Sequence, residues 1–431
     1  MKAKSSSKFW SVLILFSLVG QIAWVVENMY LNVFIYKMFR ATPGDIATMV
    51  AASAIAATVT TILIGALSDK IGKRKIFICG GYILWGISIF AFVFIRTDVI
   101  NALFPAAVSA AAVGANLVII FDCIMTFFGS SANDAAFNAW LTDNTESSKR
   151  GAAEGVNAMM PLVSILVVFG GFMAFNLDNP SSWITIFTII GAVVTLIGII
   201  GIFIIDDEKT VKQGENYWGN VFHGFLPKTV KQNKSLYMYL LAFTVFNISI
   251  QIFMPYLIIY YEKSLQMANY VFIMAPAIIL ASIVTFFWGK VYDKKGIKFS
   301  SFTAIIWLIV GYIVLYLFKN QALVFVGSLF MMCGYLSGMT VFGAKIRDLI
   351  PTGKAGMFQG IRIFSQVLIP GIVGPYIGKV VLKNAETIAN NDGTTSFLPN
   401  ENIFLASLIV IVLTFIMIAF FTKGEFKKQN V

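Results

Sequence analysis

Histidine is nearly absent from this chain, one in 431 residues, and cysteine is scarce, with three. The lone His223 sits in a polar stretch, so neither a His-rich metal site nor a His-based triad lies within an apolar run. Cys79, Cys123 and Cys333 all fall inside apolar runs, and an odd number without CxxC spacing points to neither a disulfide framework nor a thiolate metal site. Charged residues make up only 12% of the chain, against about 25% in soluble domains. No GxxxxGK[ST] loop occurs, which removes ATP as a driver. No catalytic set gathers at one end of the apolar runs. The sequence therefore carries no expectation of an enzyme, a metal or a cofactor.

What is present is apolar: 58% of residues are hydrophobic, forty of them Phe. A soluble chain of this composition could not cover its surface with polar groups. Membrane-spanning strands would alternate over segments of about ten residues. Here the apolar runs are continuous and near the ~20 residues that a helix needs to cross hydrocarbon. Twelve runs are recognised, at 9–36, 46–67, 76–95, 115–142, 153–176, 183–205, 236–260, 270–291, 299–318, 322–344, 357–382 and 402–422. The first follows the basic segment Met1–Lys8 and passes through Glu27 to Tyr36 without a small-x-small cleavage site, so it reads as a retained helix. Asn101–Gly114 is also apolar and leaves the start of the fourth helix open. The expected fold is an all-α polytopic membrane protein of twelve transmembrane helices.

The net charge of +11 is what cytoplasmic loops produce in such a protein. With both termini in the cytoplasm, 24 of the 32 Lys and Arg fall in inside segments, seven (Lys37, Arg40, Arg96, Lys263, Lys319, Lys379, Lys383) fall outside, and Arg362 falls within a helix. The expected location is the cell membrane, with both termini inside. The chain divides into a six-helix half over 1–205, a cytoplasmic linker over 206–235 and a second six-helix half over 236–431. The linker is charged and Gly-containing, with room for one surface helix. Its aromatics Tyr217, Trp218, Phe222 and Phe225 suggest contact with the membrane surface. The longest outside loop, Lys383–Asn400, is polar.

The two halves repeat each other. Gly65, Asp69 and Gly72, after the second run, recur as Gly289, Asp293 and Gly296, after the eighth, at an offset of 224. At the same offset Glu27 meets Gln251 and Tyr36 meets Tyr260. Asp143, Gly151 and Glu154-Gly155 recur as Asp348, Gly356 and Gln359-Gly360 at an offset of 205. Two such matches in corresponding loops indicate a duplicated, pseudo-symmetric bundle.

On these residues the sequence resembles the major facilitator superfamily. The segment from Gly65 through Asp69 and Gly72 to Lys73 and Arg74 looks like that family's signature between helices two and three, and Gly289–Lys298 looks like its weaker copy. More narrowly, Asp134 to Trp140 and Asp143, followed by Lys149-Arg150-Gly151, looks like the glycoside–pentoside–hexuronide:cation symporter branch, to or near which the melibiose and sucrose carriers belong. The resemblance implies a secondary transporter of a small solute, a sugar or glycoside, working by alternating access between two rocking halves. It also implies that the signature loop acts as a cytoplasmic latch in the outward-open state, where its alternative is a positive-inside anchor. Arg150 and Arg347, with Asp69, Asp143, Glu154, Asp293 and Asp348, would extend the latch into a network, the alternative being static loop ion pairs. Gly72 permits the tight turn, and Lys73, Arg74 and Lys75 would snorkel to the headgroups.

A charge near the bilayer centre costs about 2.5–3.5 kcal/mol on insertion scales, so each intramembrane ion needs a reason. Asp134 lies nine residues before Asp143, hence ~13 Å from the cytoplasmic helix end. A carboxyl removed from water can take up and release a proton. Asp134 reads as a coupling residue or a structural hydrogen-bonding one. Glu27 reads as a coupling or substrate residue, or as a fixed interhelical pair. Asp122 reads as interfacial, and Arg362 as either a gating pair or a substrate contact.

The cation-coupled members of the resembled branch place two acids on helix two. Met49–Ile64 here has none, and a sodium cage needs several oxygens. That leaves a proton as co-substrate, or no coupling. Gln21, Trp24, Asn28 and Asn32 fall within about an 80° arc of helix one and would present an indole and amides to a sugar. Asn247 and Gln251 on helix seven, and Gln359 and Gln366 on helix eleven, offer further amides. The alternative is that such groups only join helices. The expected partners are a small-molecule substrate, a proton and the lipid bilayer, with the protein a monomer and no nucleic acid bound. Efflux of amphipathic compounds is the alternative within the same fold. A non-transporting membrane sensor is the alternative outside it.

Overall fold

The computed structural model describes residues 6–106, 109–145, 150–206, 222–267, 269–350, 355–390 and 393–429. The chain divides into two compact units, Met1–Trp218 and Gly219–Val431. Ten helices are long and apolar enough to cross a membrane. The 47-residue Val271–Leu317 counts once among them but is two helices joined at Gly296. A further helix carries a shorter apolar stretch, Met159–Phe172. The described residues thus hold the twelve expected helices.

The first unit contains α1 (Ser7–Phe39), α2 (Pro43–Ile71), α3 (Arg74–Ala91), α4 (Ala110–Leu141), α5 (Arg150–Phe172) and α6 (Pro180–Ile204). Helix α2 starts where Thr42 and Asp45 form a reciprocal capping box ahead of Pro43, which has no N–H to leave unpaired. The open start of the fourth helix is resolved by Ser109, whose side chain accepts from Ala112 N. Helix α4 therefore begins at Ala110, and a separate short helix, Thr97–Leu103, precedes it. Within this unit α1 packs on α5, α2 on α4, and α3 on α6. Close approach of α3 and α6 depends on glycine: a β-carbon at Gly86 would lie 2.6 Å from the Gly191 carbonyl oxygen. Small residues of this kind let helices pack in lipid, where no hydrophobic force drives them together.

The second unit contains α7 (Lys234–Ser264), α8 (271–295), α9 (297–317), α10 (Gln321–Leu349), α11 (Gly360–Val381) and α12 (Asn402–Gln429). Its pairings repeat those of the first unit, with α7 on α11 and α12, and the α8–α9 stretch on α10 and α12. A short helix, Pro227–Gln232, lies in the expected linker. Tyr217 and Trp218 lie outside the described residues, whereas Phe222 is exposed and Phe225 packs edge-on against Phe364 at 4.9 Å. The polar loop expected outside carries regular structure in its described residues. Thr387–Ala389 (β1) and Thr395–Phe397 (β2) pair antiparallel, with Ile388 opposite Ser396.

The repeated loops share a backbone feature. Gly72 has φ 69° and closes α2 through its N–H to the Ser68 carbonyl. Gly296 has φ 72° and separates α8 from α9. Both occupy the left-handed region that a β-carbon disfavours, and they are the pair related by the 224-residue offset.

Candidate functional site

Helix α1 changes winding in mid-course. Val26–Tyr30 forms a π-helical turn, which admits an extra residue and swings the far part of the helix about its axis. Glu27 sits in this turn and is only 6% exposed. Its Oε1 accepts from Thr126 Oγ1 on α4 at 2.8 Å and from Ser53 Oγ on α2 at 3.0 Å. The two hydroxyl oxygens lie 2.8 Å apart. Glu27 Oε2 is buried and has no partner among the described residues.

Asp122 corrects the sequence reading. It was expected at the membrane interface, yet it is 2% exposed and lies within electrostatic reach of Glu27. The reason is the early start of α4: Asp122 lies twelve residues, ~18 Å, beyond Ala110. Its Oδ1 is buried without a partner among the described residues. Ser53 and Thr126 were not singled out from sequence. The available signal was spacing, because Thr126 stands one turn after Asp122 on the same helix face.

Asp134 occupies a second π-helical segment, Ser130–Phe137 of α4. It is half-buried, and its Oδ2 accepts from Ser130 Oγ at 3.0 Å. The neighbouring Asn133 Nδ2 donates to Tyr82 Oη at 2.7 Å, and that hydroxyl donates to the Phe16 carbonyl. Both acids expected to couple transport thus sit in π-helical segments, which frequently mark functional positions.

Of the helix-one stripe, Gln21 and Trp24 are half-buried and Asn28 is exposed. Asn28 Nδ2 donates to the Trp24 carbonyl at 2.8 Å. The Trp24 ring lies against Trp85, centroids 5.0 Å apart, and its Nε1 is buried without a partner among the described residues. Asn32 leaves the stripe, contrary to expectation, and is 1% exposed. The 100° spacing assumed an unbroken α-helix, and the π-helical turn between Trp24 and Asn32 breaks it.

In the second unit Asn247 is buried and its Nδ2 donates to the Phe243 carbonyl at 2.8 Å. Gln251 is half-buried and packs against Gly374, where a β-carbon would lie 2.5 Å from the Gln251 Cβ. Arg362 is half-buried in the helical turn just before a π-helical segment, Phe364–Leu368. Gln366 lies in that segment, and the Gln359 side chain lies outside what the structure describes. No acidic residue falls in the middle of a second-unit helix, so the deep carboxylates all belong to the first unit.

At the signature loop, Gly65 and Asp69 lie in the last turns of α2. The side chains of Asp69, Arg150 and Glu154 lie outside what the structure describes. Arg74 does not snorkel to the headgroups, which corrects the expectation. It is 6% exposed, its Nε donates to Asp143 Oδ2 at 3.2 Å, and its guanidinium donates to Ser68 Oγ at 2.6 Å. A carboxylate and a hydroxyl within reach hold it inside, where a free lysine-like charge would move to water. In the second unit Gly289 and Gly296 have open space where a β-carbon would stand, Asp293 is exposed, and Tyr292 Oη donates to Asp348 Oδ2 at 2.6 Å.

The family model described as Major Facilitator Superfamily matches residues 9–375. No curated protein matches the sequence. Among solved structures, a point variant of the nucleoside transporter NupG is similar at a TM-score of 0.71 and 12% identity, over 96% of this chain and 99% of that one. A bacterial homologue of the human lysosomal transporter Spinster, inward-facing and occupied, is similar at a TM-score of 0.68 and 15% identity, over 98% of each chain. At such identities the likeness is one of fold.

Proposed function

This chain belongs to the major facilitator superfamily and is a multi-pass membrane transporter, and we propose that it takes up a sugar or glycoside together with a proton by alternating access. The observation that carries this reading is the pair of unpartnered polar atoms buried near the middle of α1, Trp24 Nε1 and Glu27 Oε2. Inside a membrane protein an orphaned buried donor or acceptor is costly. A solute hydroxyl meets the indole N–H, and a proton meets the carboxyl. Gln21, Trp24 and Asn28 supply the recognition surface in this proposal, with Asn247, Gln251 and Arg362 contributed by the second half. Glu27 and Asp134 carry the coupling proton.

The signature residues Gly65, Asp69, Gly72, Arg74 and Arg150, with Gly289, Asp293 and Gly296, form the gating motif in the same proposal. The protein acts as a monomer in the cell membrane with both termini cytoplasmic. Likeness to the glycoside–pentoside–hexuronide:cation branch supports the sugar assignment, and the acid-free stretch Met49–Ile64 of helix two supports a proton over sodium. The test is counterflow in proteoliposomes with a panel of radiolabelled sugars and glycosides, and with nucleosides as a second panel. Exchange of a sugar supports the assignment. Exchange confined to nucleosides, or to amphipathic compounds, replaces it.

A further inference from the structure

Helix α8 carries an exposed apolar row that ends in charge. Ile279, Ile283, Phe286 and Phe287 are all exposed. Ile283, Phe286, Lys290 and Lys294 follow one another at three- and four-residue spacing, which places them on one helix face. On a membrane-spanning helix the apolar part of such a face meets acyl chains. Helix α9 has a matching face in the exposed Phe299 and Ile306, two turns apart. The exposed Lys295 and Lys298 immediately precede it.

Two of these lysines rest on the rings. Lys290 Nζ lies 5.2 Å from the Phe286 centroid and 5.6 Å from that of Phe287, and Lys295 Nζ lies 4.2 Å from that of Phe299. These are cation–π distances, and they hold the ammonium groups where the apolar face stops. Residues 290–298 contain four lysines and one acid, Asp293. The break at Gly296 keeps the lysines of both helices at the same end.

The first unit uses its cation differently. At the 224-residue offset Lys298 corresponds to Arg74. Arg74 is buried and donates to Asp143 and Ser68. In the second unit Asp348, which corresponds to Asp143, accepts from Tyr292, and Lys298 is exposed. A cation that is internal in one half is at the surface in the other.

We propose that this end of α8 and α9 binds an anionic phospholipid, its headgroup phosphate held by Lys290, Lys294, Lys295 and Lys298 and its acyl chains laid along Phe286, Phe287 and Phe299. Lysines clustered at the end of a membrane helix attract anionic lipid, each by about five-fold in affinity. A zwitterionic lipid brings its own cation, which competes with the lysines for the phosphate. The exposed rings commit the site to a lipid, because a free phosphate gains nothing from them. The site is independent of the solute and of the coupling ion.

The test is native mass spectrometry of the purified full-length protein in detergent, with equal amounts of phosphatidylglycerol and phosphatidylcholine added. Phosphatidylglycerol should be retained several-fold more than phosphatidylcholine. Lys290→Gln with Lys295→Gln should weaken its binding on the order of twenty-fold, and Lys294→Gln with Lys298→Gln should act in the same direction. Lys290→Arg with Lys295→Arg keeps the charge and should keep the selectivity. Lys70 and Lys73, exposed at the corresponding end of the first unit, supply the control: replacing both with Gln should cost far less. Equal retention of the two lipids by the unmodified protein overturns the proposal, as does selectivity that survives both Gln pairs. An equal loss in the Lys70 and Lys73 control makes the attraction one of diffuse net charge and overturns it too. Displacement of phosphatidylglycerol by millimolar inorganic phosphate makes this a site for a free anion, with the same consequence.

Discussion

The Tyr292 hydroxyl donates to Asp348 Oδ2 at 2.6 Å, and it does so from the position that Ser68 holds 224 residues earlier. In the first half Ser68 and Asp143 are joined through the buried Arg74. Asp348 corresponds to Asp143 at the 205-residue offset. The same two positions are therefore bridged in both halves, once by a cation with a hydroxyl and once by a phenol alone.

That difference sets the ranking of two substitutions. Asp143→Asn neutralises one partner of a buried guanidinium, and loss of a charge-assisted contact costs about 1.5–3 kcal/mol. Tyr292→Phe removes a single exposed hydrogen bond, worth about 0.5–1.5 kcal/mol at most. Thermal melts of the purified variants should show the larger drop for Asp143→Asn. Equal drops would mean that Arg74 draws its stability from elsewhere.

The positive φ angles at Gly72 and Gly296 predict a penalty of about 1–2 kcal/mol for any residue with a β-carbon. Gly289, in a helical position with open space at its β-carbon, supplies the comparison. Gly72→Val and Gly296→Val should lower both melting temperature and transport rate, whereas Gly289→Ala should leave the melting temperature unchanged. For the latch itself, Asp69→Asn should insert normally yet transport more slowly, and Gly72→Val should be at least as damaging. A correctly inserted Asp69→Asn that transports at the wild-type rate removes the latch from the account.

Recognition by helix one can be read from affinity. Trp24→Ala should raise the substrate Kd several-fold, since an aromatic contact is worth about 0.5–1.5 kcal/mol. Trp24→Phe separates the ring from the N–H: it keeps an aromatic surface and deletes the donor. Smaller losses are expected for Gln21→Ala and Asn28→Ala. Wild-type affinity in all four variants would show that this face of α1 does not meet the solute.

The architecture was legible in the sequence because it rests on simple signals. Run length set the helices, and a glycine–aspartate–glycine repeat pointed to two similar halves. The count of twelve survived even where α8 and α9 merge, because Gly296 marks the break. Side-chain relations were less legible. The face of α1 was drawn at 100° per residue, and a π-helical turn that no composition announces moved Asn32 off it. Asp122 was misplaced because the apolar segment before α4 hid the helix start at Ala110. Arg74 looked like one of three snorkelling cations, and only the fold shows Ser68 and Asp143 beside it.

The central claim is that proton binding on first-half carboxylates drives solute uptake. It is tested most directly by accumulation of an identified substrate in sodium-free proteoliposomes under an imposed pH gradient, for the unmodified protein, Glu27→Gln and Asp134→Asn. The account predicts concentration above equilibrium when protons are more abundant outside, falling as external pH rises. Replacing Asp134, or failing that Glu27, by its neutral isostere should bring accumulation down to the equilibrium level while counterflow persists. Accumulation that both variants retain, or that follows a sodium gradient and ignores pH, would contradict it.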